Sequence, residues 1–178
     1  MVVVLCWNEF TDARADMTKM PQNPYDTAPL RDTLSGDVKL VLHTKSLDFM
    51  KVGAYVFVSA KAKAILEAHN VGAEFCPVTL THKKRDHSGW FYLHMLVELD
   101  CIDAVNTIRA GSECAMPEMV KYLVLKESVC GETPLFHIGD SCQLGVSDEL
   151  AFAIQEAKCT GVFFQKAEEW RNPGLHYR

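Results

Sequence analysis

Several residue groups in this 178-residue chain have side chains able to do chemistry. Cys101 and Asp103 follow an apolar stretch that carries His94, so a Cys-His-Asp constellation for nucleophilic attack can be drawn. A nucleophilic cysteine needs a thiol pKa lowered by a helix N-terminus or a nearby cation. The flanking Asp100 and Asp103 would raise it instead, so a core cysteine at a strand end is expected here. His82 and His87 bracket Lys83-Lys84-Arg85, a candidate anion or metal site. Metal ligands need ordered support, which a turn does not give, and the segment reads as the solvated tip of a hairpin. The seven cysteines (Cys6, Cys76, Cys101, Cys114, Cys130, Cys142 and Cys159) are odd in number and scattered, with no CxxC spacing. A closed zinc site would need ligands from distant parts of the chain. Buried thiols of a reduced compartment are the simpler reading.

Glu98, Asp100, Asp103, Glu113 and Glu118 face only Arg109 over the same stretch, a local net charge of −4. Charge runs usually serve solubility, and an ordinary solvated loop accounts for this one. If the chain binds a protein partner, these five residues are the first contact to expect, since a local negative field steers a basic partner. No GxSxG elbow, phosphate loop, GxGxxG or HExxH occurs, so nucleotide, flavin and zincin chemistry lose their usual support. No catalytic residue, metal or cofactor is expected.

The elements that would position these residues follow from composition and pattern. With 48% hydrophobic and 23% charged residues, the chain has the composition of a globular domain, and residues 1–178 are expected to form one. A net charge of −5 gives no positive field to hold a phosphate backbone, so nucleic acid is not an expected partner. No apolar run approaches the roughly 20 residues that span a bilayer, and no signal peptide is legible. No membrane partner and a cytoplasmic location are therefore expected.

Val2 to Leu5 reads as a buried strand, β-branched and too short for a helix. Residues 10–37 carry Pro21, Pro24 and Pro29 among polar residues without apolar period, and read as a long irregular connection. Beyond Val38 the chain echoes itself at a spacing of 88 residues. Val56 to Ser59 precedes Ala62, Ile65, Leu66 and His69, then Gly72 and Phe75; Leu144 to Ser147 precedes Leu150, Ala153, Ile154 and Ala157, then Gly161 and Phe163. Each copy reads strand, capping serine, helix with one buried stripe, helix-ending glycine, strand. Residues 54–80 and 142–166 are thus expected to be an internal repeat. Between them, Ala73 to Leu80 and Trp90 to Leu99 predict a hairpin with a long charged tip, with Pro77 at an edge or bulge. Tyr122 to Leu125, Leu135 to Ile138 and Val162 to Phe164 add strands. The expected fold is α+β: a mixed, mainly antiparallel sheet with two related strand-helix-strand units.

Pro134-Leu135-Phe136-His137-Ile138, Leu144-Gly145-Val146-Ser147, the helix after it and Thr160-Gly161-Val162-Phe163-Phe164 resemble the C-terminal signature of the immunity-eleven family of bacterial polymorphic toxin systems. Asp48-Phe49, Val56-Phe57-Val58-Ser59, Glu74-Phe75-Cys76-Pro77-Val78 and Leu99-Asp100-Cys101-Ile102-Asp103 are similar to its earlier blocks. The likeness covers about residues 48–170, and residues 1–47 add little. It implies a non-catalytic protein that binds and silences a cognate protein toxin, delivered by a contact-dependent secretion system, and it carries over no binding residue. Two other classes are open on the sequence alone: a small hydrolase with a Cys/His site, which needs a pocket where those residues converge, and a structural adaptor.

Overall fold

The computed structural model describes residues 1–7, 12–15, 19–30, 38–109, 120–139, 141 and 143–170. In chain order the elements are β1 (Val2–Trp7), β2 (Ala13–Ala15), β3 (Lys39–Leu42), β4 (Phe49–Val52), β5 (Tyr55–Ser59), α1 (Ala60–Ala68), β6 (Ala73–His82), β7 (Arg85–Met95), β8 (Glu98–Leu99), β9 (Ile108–Arg109), β10 (Val120–Tyr122), α2 (Glu127–Cys130), β11 (Leu135–Ile138), β12 (Leu144–Ser147), α3 (Asp148–Glu156) and β13 (Val162–Lys166), followed by a 3-10 turn at Ala167–Glu169. One sheet has the order β2-β3-β6-β7-β5-β4 and the other β13-β1-β12-β11-β8, with β9 and β10 a separate pair. Among the described residues, only β3 with β6 and β8 with β11 pair in parallel. The fold is α+β with mixed, mainly antiparallel sheets, as the pattern predicts.

The two strand-helix-strand units share one geometry. In the first, β7 runs antiparallel between β5 and β6, so those two strands are parallel. In the second, β1 takes the same place between β12 and β13. Both helices start at a serine whose hydroxyl accepts from the third residue on: Ala62 N–H to Ser59 and Leu150 N–H to Ser147. The strand before each serine pairs with an antiparallel neighbour in matching register, Phe49 with Val58 and Leu135 with Val146. The serine amides donate alike, to the carbonyls of Asp48 and Pro134, at 2.9 Å each.

A strand whose two faces are both covered can be apolar throughout. That is the position of β1, in which Val2 to Cys6 are all buried, and of β5, buried from end to end. On the face shared by both units, Val56, Val58 and Leu93 meet Ala62 and Leu66 of α1, and Leu5, Leu144 and Val146 meet Leu150 and Ile154 of α3, in one continuous core. Behind the six-stranded sheet, Leu40, Met50, Phe57, Leu80 and Tyr92 form a second core with Met20 and Val38 over it. Behind the five-stranded sheet, Val2, Val4, Phe136 and Ile138 are covered by Cys101, Ile102, Leu123, Cys130 and Trp170.

Some expectations need correction. The charged tip is not long: His82 pairs with Arg85 and Thr81 with Asp86, so the strands close on a two-residue turn, Lys83-Lys84. Left-handed backbone follows each helix at Asn70 (φ 50°) and Lys158 (φ 53°), ahead of Gly72 and Gly161; Gly161 is itself left-handed at φ 99°, and Gly72 is not. The second connection is one residue longer, so Phe75 matches Phe164, which pairs with Leu5 as Phe75 pairs with Leu93. The strand expected over Trp90–Leu99 stops at Met95, and Glu98–Leu99 joins the other sheet. The expected strand at Tyr122–Leu125 is β10, ending at Tyr122, with Leu125 in a lone bridge to Ile102. Within residues 10–37, Ala13–Ala15 is a strand on β3. Pro77 precedes Thr79, where β3 pairing on β6 begins, and lies beside a bulge between Val78 and Leu80. Its missing N–H is therefore not owed to β3.

Candidate functional site

The Cys-His-Asp constellation does not assemble. Cys101 is fully buried in the core behind the five-stranded sheet, and burial, reinforced by Cys130, pushes its thiol up to about 12. A thiol in that state is not a nucleophile at neutral pH. His94 is fully buried on β7 of the other sheet. Its Nε2–H donates to the Ala28 carbonyl at 2.8 Å, and its Nδ1 lies 3.4 Å from the Tyr92 hydroxyl. Both ring nitrogens thus have partners inside the core, on the opposite sheet from Cys101.

Asp103 closes a turn. Its Oδ1 accepts from the Val105 and Asn106 amides at 3.0 and 3.2 Å and its Oδ2 from Asn106 Nδ2 at 2.7 Å; the Asn106 side chain foremost holds the carboxyl below its usual range. Of the other acidic residues expected at a partner surface, Glu98 and Asp100 are exposed at and just beyond β8, the edge strand of its sheet. Glu113 and Glu118 lie outside the described residues, as do Cys114 and Cys142. Among the described residues no group of His, Cys, Asp and Glu is arranged to hold a metal ion. No helix among them is long and apolar enough to cross a membrane.

Sequence reasoning missed the work of the proline-rich segment. Its Pro21 carbonyl accepts from the Tyr55 hydroxyl at 2.6 Å, its Ala28 carbonyl holds His94, and its Leu30 amide donates to Glu74 Oε2 at 2.8 Å. Its Tyr25 ring meets His137 of β11 edge to face at 5.5 Å. The segment thus ties together residues of both sheets. The one available signal was Tyr92 and His94 on a strand face that needed covering, since a buried polar side chain requires a partner. His137 stays incompletely satisfied. It is buried, its Nδ1 has no hydrogen-bond partner among the described residues, and burial, with His94 and Lys51 nearby, pushes it down to about 4.

A groove of about 470 Å³ runs along the β6–β7 hairpin, between Pro77–Thr79 and Asp86–Phe91. It contains no cysteine, and none of the residues drawn for nucleophilic chemistry enters it. What the surface offers is charge and shape, with exposed acids at Glu98 and Asp100 and exposed cations at Lys83, Lys84 and Arg85. Compared with known proteins, the chain matches the immunity protein family Imm11 over residues 2–169. No individually curated protein matches it. The match begins at β1 and so takes in the N-terminal part that the sequence resemblance left out. β1 is needed there, because it is the central strand of the second unit.

Proposed function

The chain belongs to the Imm11 immunity protein family, and on that premise we propose that it neutralises a cognate bacterial toxin by binding it, with no chemistry of its own. The observation that carries the reading is the extent of the match, which runs from β1 through the turn after β13. The burial of Cys101 and the full engagement of His94 support it, since the one nucleophile drawn from the sequence is masked. Neutralisation by binding needs only a complementary surface, so no fixed set of reactive side chains has to recur. Self-protection by binding puts the protein in the cytoplasm of the toxin-producing cell, where a toxin of a polymorphic, contact-dependent system would otherwise act. Glu98, Asp100 and Asp103, with Glu113 and Glu118, are the proposed acidic contact.

The test is co-expression with a toxic C-terminal domain, sought in the neighbouring reading frame. Growth restored by this chain, together with a stable complex of the two purified proteins, is the expected outcome. Growth restored with a chemically altered toxin and no complex would replace binding by catalysis.

A further inference from the structure

The turn between β6 and β7 carries charge that the fold does not use. The chain has a net charge of −5, yet Lys83, Lys84 and Arg85 stand in succession and exposed. The salt bridges among the described residues lie elsewhere, at Met1–Asp148, Lys61–Asp48 and Lys63–Glu67. Asp86, the adjacent acid, already accepts from the Thr81 hydroxyl at 2.6 Å.

The backbone of the turn sharpens the point. Lys83 and Lys84 are its two central residues and both are left-handed, at φ 49° and 62°. A two-residue hairpin loop of that shape favours Asn-Gly, which reaches positive φ at little cost, whereas lysine carries a side chain that disfavours it. Two long cations therefore occupy positions that local conformational energy would assign to other residues. The turn is also braced. β3 pairs with Thr79 to His82, and His82 Nδ1 lies 3.3 Å from the Leu42 carbonyl. On the opposite side β5 pairing stops at Ser59 with Trp90, so from Arg85 to Gly89 β7 is the edge of the sheet among the described residues. Charges fixed on a rigid corner lose less freedom on binding than charges on a loose loop.

We propose that this corner is a docking surface for an acidic face of the toxin, with Lys83, Lys84 and Arg85 meeting its carboxylates. The inference rests on the immunity reading and adds to it a second contact, opposite in sign to the acidic one. Charges of both signs at separate points fix a single orientation of the complex. A nucleic-acid backbone is the weaker occupant: three cations on a chain of net negative charge would release few of the counterions on which such binding draws.

The experiment uses the full chain and the purified cognate toxic domain. Lys83→Asn with Lys84→Gly rebuilds the turn in its favoured form, so the variant should unfold at a higher temperature than the wild type. It should nevertheless bind at least tenfold more weakly, with slower association at low salt and a flatter salt dependence, and Arg85→Glu should weaken it further. A more stable variant that binds with wild-type affinity and salt dependence overturns the proposal. So does loss of binding to a short DNA duplex in that variant while toxin binding is kept. If the wild type fails to bind the toxic domain at all, the immunity reading fails and the docking proposal falls with it.

Discussion

Asp48 and Thr160, 112 positions apart, hold each other at the junction of the two structural units. The Asp48 Oδ2 accepts from both the amide and the hydroxyl of Thr160 at 3.0 Å, the Thr160 hydroxyl accepts from the Asp48 amide at 3.0 Å, and the Phe49 amide donates to the Thr160 carbonyl at 3.0 Å. Asp48 enters β4 on the first unit and Thr160 enters β13 on the second, so one carboxylate joins the edges of two sheets. Burial alone would raise this carboxyl. The hydrogen bonds from Ser59 and Thr160, and the Lys61 ammonium at 3.6 Å, outweigh it and hold the group below its usual range.

Asp48→Ala should therefore cost about 1–3 kcal/mol, the penalty for stranding partly buried donors. A carboxyl with a depressed folded pKa stabilises above its unfolded value of about 3.9, and that contribution is lost as pH falls through the folded value. Urea midpoints of the wild type and of Asp48→Asn should differ most at neutral pH and converge as the pH falls through the depressed folded value. A constant gap would mean that the carboxylate charge contributes nothing.

The two helix caps provide a paired comparison. Ser147→Ala removes one cap bond, worth about 1 kcal/mol. Ser59→Ala also loses the donation from its hydroxyl to Asp48 Oδ1 at 2.7 Å, so it should cost more. Equal losses in thermal denaturation would contradict the coupling of the cap to the junction.

Gly161 is constrained twice. Its φ of 99° disfavours any side chain, and a Cβ there would overlap the Phe49 carbonyl oxygen at the same junction. Gly161→Ala should destabilise by at least about 1–3 kcal/mol. A substitution at Gly53, also left-handed but with open space around it, should cost less, and calorimetry of the two variants separates strain from collision.

His137 predicts a second acid transition in a different window. Its imidazole titrates near 4 in the fold because charging it would desolvate a cation, with His94 and Lys51 opposing as well. The unfolded chain takes up that proton near 6.5, so stability is present above that value and falls as pH drops from about 6.5 to 4, by up to about 1.4 kcal/mol per pH unit. His137→Leu should flatten the urea midpoint over that interval. Parallel pH profiles for wild type and variant would remove His137 as the cause.

Much of this fold is legible because its signals are periodic. Ser59 and Ser147 announce two capped helices, and the apolar runs around them announce the strands, since burial and capping act within a few residues. The place of β1 between β12 and β13 is not legible, because strand order depends on pairing across about 140 residues that no local pattern encodes. The tight Lys83-Lys84 turn was hidden by its own residues, which are not those a hairpin of that length prefers. For the site, Cys101, His94 and Asp103 lie close in sequence yet point to separate environments, since Met95 ends one sheet and Glu98 starts in the other. A binding surface leaves a fainter trace than a catalytic one, because exposed charge serves solubility as readily as recognition.

The central claim is that this chain acts by binding a toxin. Calorimetric titration of the full chain with a cognate toxic domain, alongside an assay of that domain's activity, tests it most directly. The account predicts a saturable complex, inhibition that tracks occupancy, and an intact toxin recovered on dissociation. Absence of heat and of complex at micromolar concentrations, with the toxin's activity unaffected, would contradict it.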